Sequence, residues 1–217
     1  MEIFMKKIIF DCDNTFGVNN CDVDDGLALL YLLGRKEANL IGITSCYGNS
    51  TIETTFSNTK RMLKEIKELN FSCDPKATLE VLTQSCPVST ATGNNCLAAY
   101  FTADEFKNRL ENNKNGAGSY IYEKTGYWFG HADKNYKLDG FFNWDVVSAV
   151  YLMHPELFKP SETHLRLSEE DLKTGYLRIN ATKENANATI FLPKIKDLEA
   201  FKEEVYSGWL QAKIKIA

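Results

Sequence analysis

The feature that most restricts what this chain can fold into is one passage near its start. An apolar run at 6–10 leads through Asp11-Cys12-Asp13 to Asp22-Val23-Asp24-Asp25 and straight into a helical pattern at 25–33. A short apolar run that ends in acids reads as a buried parallel strand whose C-terminal end opens onto a site. In the helical pattern Leu27, Ala28, Leu30 and Tyr31 recur at helix spacing, and Gly34 supplies a stop. A second apolar run at 39–46 and an amphipathic stretch at 51–66 repeat the alternation. Strand, helix, strand, helix is the signature of a parallel sheet, so the expected class is α/β, a mostly parallel open sheet flanked by helices.

Asp11, Asp13, Asp22, Asp24 and Asp25 fall within this single strand-to-helix connection. Carboxylates packed together either raise one another's pKa or hold a cation, and a set of hard oxygen donors suits Ca²⁺ or Mg²⁺. Asp24 alone could serve as a helix cap, but capping uses one carboxylate and leaves the others unexplained. The location fits a ligand site, because open α/β sheets bind ligands beyond the carboxyl ends of their strands.

Further along, the pattern predicts a helix from 75 to about 84, a strand at 87–92, and a helix to 110 capped by Thr102 with Glu105 three residues on. An aromatic-rich helix follows at 118–129, then a helix from Asp145 to Met153 halted by Pro155, strands at 163–167, 176–181 and 188–192, and a last helix at 195–210. We expect a single domain over 1–217. Lys and Arg total 25 against 29 Asp and Glu, with no basic run, which disfavours nucleic-acid binding and favours a small neutral substrate. No stretch approaches the roughly 20 apolar residues of a membrane span, and the start lacks a signal-type apolar segment, so no membrane partner and a cytoplasmic address are expected. The six cysteines form no Cys-x-x-Cys pair and are expected to be reduced thiols.

Four motifs, in order, carry a family resemblance. Asp11-x-Asp13 followed by Asp24-Asp25-Gly26-Leu27-Ala28-Leu29 resembles the N-terminal aspartate signature of the inosine-uridine preferring nucleoside hydrolases, with a longer loop at 14–23. The segment from Gly42 to Asn49, with Asn58 to Leu63 after it, resembles the family's second segment. Glu68-Leu69-Asn70 with Asp74-Pro75-Lys76-Ala77 is similar to its Glu-Phe-Asn stretch and the Asp-Pro-Glu-Ala that follows, and Trp144-Asp145-Val146 to its C-terminal aspartate motif.

The resemblance implies that Asp13, Asp25 and Asp145 hold calcium while Asp24, Asn49, Glu68 and Asn70 hydrogen-bond the ribose hydroxyls. It implies hydrolysis of a ribonucleoside to ribose and free base by a calcium-activated water whose proton passes to Asp13, through an oxocarbenium-like state. Homo-oligomerisation is left open. Two departures stand out. The family's long stretch before the Glu-Phe-Asn motif is missing near 66–68, so central strands of the sheet are expected to be absent, with exposed edges or core surface as the consequence. Trp144 also stands where many members have a proton-donating histidine; its indole is a poor acid but can stack on a base. Of His131, His154 and His164, His131 is the better candidate for the site.

Two other readings compete. One is a nucleoside-hydrolase homologue that binds weakly or is catalytically impaired. The other is a haloacid-dehalogenase-type phosphatase, suggested by Phe10 to Thr15, in which Asp11 is the nucleophile; it explains neither Asp24-Asp25 nor Trp144-Asp145.

Overall fold

The computed structural model describes residues 5–45, 48–51, 54–55, 57, 75–83, 87–111, 113, 116–159, 161–173, 177 and 181–213. The first strand, β1 (Lys6–Cys12), runs parallel to β2 (Ala38–Ser45), and the connection between them contains α1 (Asp24–Leu33). Ile8 and Cys12 are buried while Lys7, Ile9 and Asp11 lie on the opposite, exposed face, as the two-residue period of a strand requires. The expected strand-helix-strand unit is therefore present.

Every residue of α1 except Leu33 is buried. A helix apolar on nearly all sides belongs in an interior, and here α1 packs against α6 (Trp144–Met153) and α8 (Leu198–Gln211). Gly208 lets α8 approach until its backbone meets Tyr31 and Gly34, where an added Cβ on either glycine would overlap the other element. Two polar contacts fix this crossing. The indole N–H of Trp209 donates to the Leu27 carbonyl at 2.8 Å, and the Tyr31 hydroxyl donates to Glu204 at 2.7 Å. Trp209, Tyr206, Phe101 and Phe106 meet in tilted or edge-on ring contacts and form the centre of the main core.

Between these elements lie α2 (Pro75–Leu82), β3 (Val88–Ser89), α3 (Gly93–Cys96), β4 (Tyr100–Thr102), α4 (Ala103–Phe106), α5 (Ala117–Tyr136) and β5 (Gly140–Phe142). The Thr102 hydroxyl accepts from the Glu105 amide at 3.2 Å, the predicted cap. After α6 come β6 (Phe158–Lys159), β7 (Glu162–Leu165), α7 (Glu169–Leu172), β8 (Ala188–Phe191) and β9 (Lys194–Ile195). β3 pairs parallel with β8, β7 antiparallel with β8, β4 with β5 and β6 with β9 also antiparallel. A smaller core, including Leu82, Leu165, Leu172 and Ile190, fills the β3–β8–β7 region.

The fold is thus α/β, with its sheet broken into short pieces among the described residues. Most of the predicted helix at 51–66 and of the strand at 176–181 lies outside them. The predicted strand at 87–92 shortens to two residues, and α5 runs past Gly130 to Lys137, whose left-handed conformation closes it. Among the described residues no helix is long and apolar enough to cross a membrane.

Candidate metal and ribose site

The C-terminal end of β1, the start of α1 and the start of α6 converge, bringing together acids that are far apart in sequence. Asp24 and Asp25 open α1 at 6% and 2% exposure. Asp145 occupies the first turn of α6, and one carboxylate oxygen from each of the three lies within 4.8 Å of the others. Helix N-termini favour negative charge, so α1 and α6 both direct their positive ends at this cluster. Val23, not Asp24, is the N-cap of α1, and it offers no side-chain cap bond. Asp24 is therefore the first helical residue, which removes capping as an explanation for it.

Asp13 joins from the end of β1. It shares a hydrogen bond with Asp25 and accepts from both the backbone amide and the side-chain amide of Asn49, the latter at 3.2 Å. Gly48 makes this possible, because a Cβ at that position would overlap the Asp13 carboxylate. Asp22 is a further member that the motifs do not single out. Its carboxylate accepts from the Val23 amide at 2.6 Å and interacts with Asp24.

Burial drives the electrostatics. It pushes Asp24 well above the ordinary carboxylate range, with the charges of Asp145 and Asp22 adding to the effect. Asp145 is raised to about 7, first by burial and then by the charge of Asp22, while hydrogen bonds from Asp25 and Asp24 oppose the rise. Asp13 and Asp22 are raised as well, again mainly by burial. Asp11 does not join the cluster; it stays on the exposed face of β1 and accepts a hydrogen bond from the Thr44 hydroxyl. The nucleophile that a haloacid-dehalogenase reading requires is therefore outside the cluster.

The long loop at 14–23 is closely folded. The Asn14 side chain accepts from the Phe16 amide at 2.8 Å, the Thr15 hydroxyl donates to the Asp22 carbonyl at 2.9 Å, and the Tyr127 hydroxyl on α5 donates to the Cys21 carbonyl at 3.1 Å. Phe16 lies against Gly26, where any side chain would collide with its ring. These contacts fix the approach to Asp22 and Asp24.

Trp144 sits at the rim, 38% exposed, against Gly93 and edge-on to Phe142. The histidines lie elsewhere: His131 stacks on Trp128 at 4.6 Å, His154 contacts Glu156 and Glu204, and His164 contacts Glu162 and Thr189. Glu68 and Asn70 lie outside the described residues. Cys21 and Cys96 are thiols, the latter buried with its pKa pushed up to about 12 by burial.

The residues present fit a hard divalent cation. Calcium ligands stand 2.3–2.6 Å from the ion, so two ligand oxygens can be at most about 5 Å apart, and the 4.8 Å limit of the trio satisfies that. Asn143, fully buried and two residues before Asp145, carries a side-chain amide with no hydrogen-bond partner among the described residues, so the polar interior extends to the start of α6.

Comparison with known proteins shows the family and the fold. The family model for inosine-uridine preferring nucleoside hydrolases matches residues 8–67 and again 64–203, and the chain belongs to that family. Among solved structures, a plant nucleoside hydrolase, the PpNRh1 enzyme, aligns with a TM-score of 0.72 at 14% identity, covering 96% of this chain and 99% of that one. The purine-preferring ribonucleoside hydrolase from Gardnerella vaginalis aligns with a TM-score of 0.74 at 17% identity, over 97% and 100% of the two chains. Likeness at these identities concerns the fold. An uncharacterized Corynebacterium ammoniagenes protein, encoded in the ribF 3' region, is 39% identical over 57 residues, which are 26% of this chain and 54% of that relative. The match thus spans about half the length of that curated relative.

Proposed function

We propose that the protein hydrolyses the N-glycosidic bond of a ribonucleoside to ribose and free base at a calcium site built from Asp13, Asp25 and Asp145. The observation that carries this reading is the convergence of two buried carboxylates from α1 with half-buried ones from the end of β1 and the start of α6. Asp25 and Asp145 are common to the expected and observed groupings. Asp24 completes the tight trio, and Asp13 stands one hydrogen bond away through Asp25. Calcium accepts six to eight oxygens, so all four carboxylates are compatible with one ion. When bound, the ion would neutralise the cluster and acidify a water.

The chain's own residues supply the remaining steps. Asp13, its orientation fixed by two bonds from Asn49, accepts the proton of the attacking water. Asp24 and Asn49, with Glu68 and Asn70 from the outlying motif, orient the ribose hydroxyls, and the carboxylates offset positive charge developing on the ring. Trp144 offers an aromatic surface to the departing base. The site draws on both halves of the sequence and one core unites Ile8 with Ala212, which supports a single functional unit. The absence of a spanning helix among the described residues is compatible with the cytoplasmic address we infer.

The test is release of reducing sugar from inosine and from uridine with added calcium, beside an Asp25→Ala control and a generic phosphate ester. Calcium-dependent ribose release that the substitution abolishes is the expected result. Phosphate release alone would support a phosphatase, and a folded protein silent on all substrates would support an impaired homologue.

A further inference from the structure

The backbone at Gly93 gives no reason for a glycine. Gly93 opens α3 and is not one of the glycines with positive φ, Gly17 and Gly116, and glycine is a poorer helix former than alanine. The reason lies in Trp144. A Cβ at position 93 would stand 2.5 Å from Cζ3 of the indole, so the ring would have to withdraw by about 1 Å to reach ordinary van der Waals separation.

The ring has one direction in which to withdraw. α3 does not yield, because the buried Asn95 amide donates to the carbonyls of Leu192 and Pro193 at 3.3 and 3.1 Å, and the Thr92 hydroxyl donates to Asn95. The root of Trp144 is held as well: its carbonyl accepts from the Cys96 thiol at 3.6 Å, and Asp145 beside it belongs to the acid trio. Phe142 meets the indole edge-on. Displacement is therefore away from Gly93, into the space on the ring's open side.

We propose that Gly93 is a positioning residue that determines specificity: by admitting the indole against the backbone of α3, it sets the clearance left for the base on the ring's open face. The proposal rests on the reading of Trp144 as the surface that meets the departing base. A purine lays two fused rings over that face and a pyrimidine one, so lost clearance falls harder on inosine than on uridine.

The test compares the parent, Gly93→Ala, Trp144→Phe and the double variant. It reads kcat and KM for inosine and uridine, calcium-dependent thermal stabilisation, and quenching of Trp144 emission by hypoxanthine, taken as the difference from Trp144→Phe. Gly93→Ala should raise KM for inosine about tenfold, and for uridine less, with kcat within about threefold of the parent and the calcium response unchanged. Hypoxanthine should quench the parent and bind Gly93→Ala about tenfold more weakly. Phenylalanine lacks the outer ring that Gly93 meets, so adding Gly93→Ala to Trp144→Phe should cost nothing further. Equal hypoxanthine affinity in parent and Gly93→Ala, equal losses for both nucleosides, additivity with Trp144→Phe, or a lost calcium response would overturn the proposal. A parent whose emission ignores hypoxanthine would overturn it together with the base contact, whereas quenching without ribose release would speak against hydrolysis alone and leave the affinities to support or overturn the role of Gly93.

Discussion

Asp25→Asn is expected to make the calcium-free protein more stable and, at the same time, unresponsive to calcium. Oxygens of Asp24, Asp25 and Asp145 lie within 4.8 Å of one another. At an effective dielectric constant of about 20, each fully ionised pair at that distance repels by about 3 kcal/mol. Asp25 takes part in two of the three pairs. Partial protonation of Asp24 and Asp145, whose pKa values are raised, already relieves much of this, leaving a net gain of about 2 kcal/mol on neutralising Asp25. The amide donates to Asp13 and Asp145 without the proton that the Asp25 carboxyl must take up to do so, so packing is preserved. For a chain of this size, that gain corresponds to a rise in melting temperature of about 4–8 °C in chelator. Calcium at a hundred times its dissociation constant should stabilise the parent by about 2.7 kcal/mol, and the variant by a small fraction of that. Thermal melts of both proteins, in chelator and across a calcium titration, provide the measurement. A variant that melts below the parent in chelator while keeping the parent's calcium response would refute the reasoning.

Three further outcomes follow from the same geometry. Gly48→Ala forces the backbone away from Asp13 and weakens both bonds from Asn49, so kcat for ribose release should fall by about a hundredfold, while circular dichroism shows the fold retained. Stability without metal should depend on pH in a defined direction, because Asp145 has a folded pKa of about 7 against an ordinary 3.8. Below 3.8 the group is protonated folded or unfolded; as pH rises towards about 7 only the unfolded chain ionises, so stability is lost across that window. Melts at a series of pH values in chelator should show the decline, and calcium should stabilise more at its upper end. Finally, Trp209→Ala removes a fully buried indole and its bond to Leu27, and urea unfolding should report a loss of about 3–5 kcal/mol.

The first βαβ unit was readable from residue order because its signals are local: apolar runs, an acidic break and a helix start. The grouping of Asp145 with Asp13 and Asp25 came from family motifs, since no local pattern relates positions so distant in sequence; that Asp24, expected at the ribose, completes the tight trio came from the fold. Asp22 was counted among the clustered acids without a role of its own and Gly48 was given none, because both are defined by other parts of the chain, Asp22 through its interaction with Asp24 and Gly48 through its closeness to Asp13. The β4–β5 pair joins three-residue strands some 40 positions apart, too short to show any period. The helix read at 118–129 stops short of Gly130, yet glycine costs a helix only about 1 kcal/mol. Burial of Ala132 and packing of Phe129 against Phe106 and Phe141 outweigh it.

The contact between Gly34 and Gly208 has a consequence for how the molecule is made. The helix that presents Asp24 and Asp25 leaves the ribosome long before α8, which clamps it through Trp209 and Tyr31. Until α8 emerges, a nearly all-apolar helix bearing two aspartates has only part of its interior, the face against α6, to enter. Cation binding by this site should therefore begin only once α8 has been made, and a message interrupted before Trp209 should yield a chain that neither retains calcium nor escapes proteolysis.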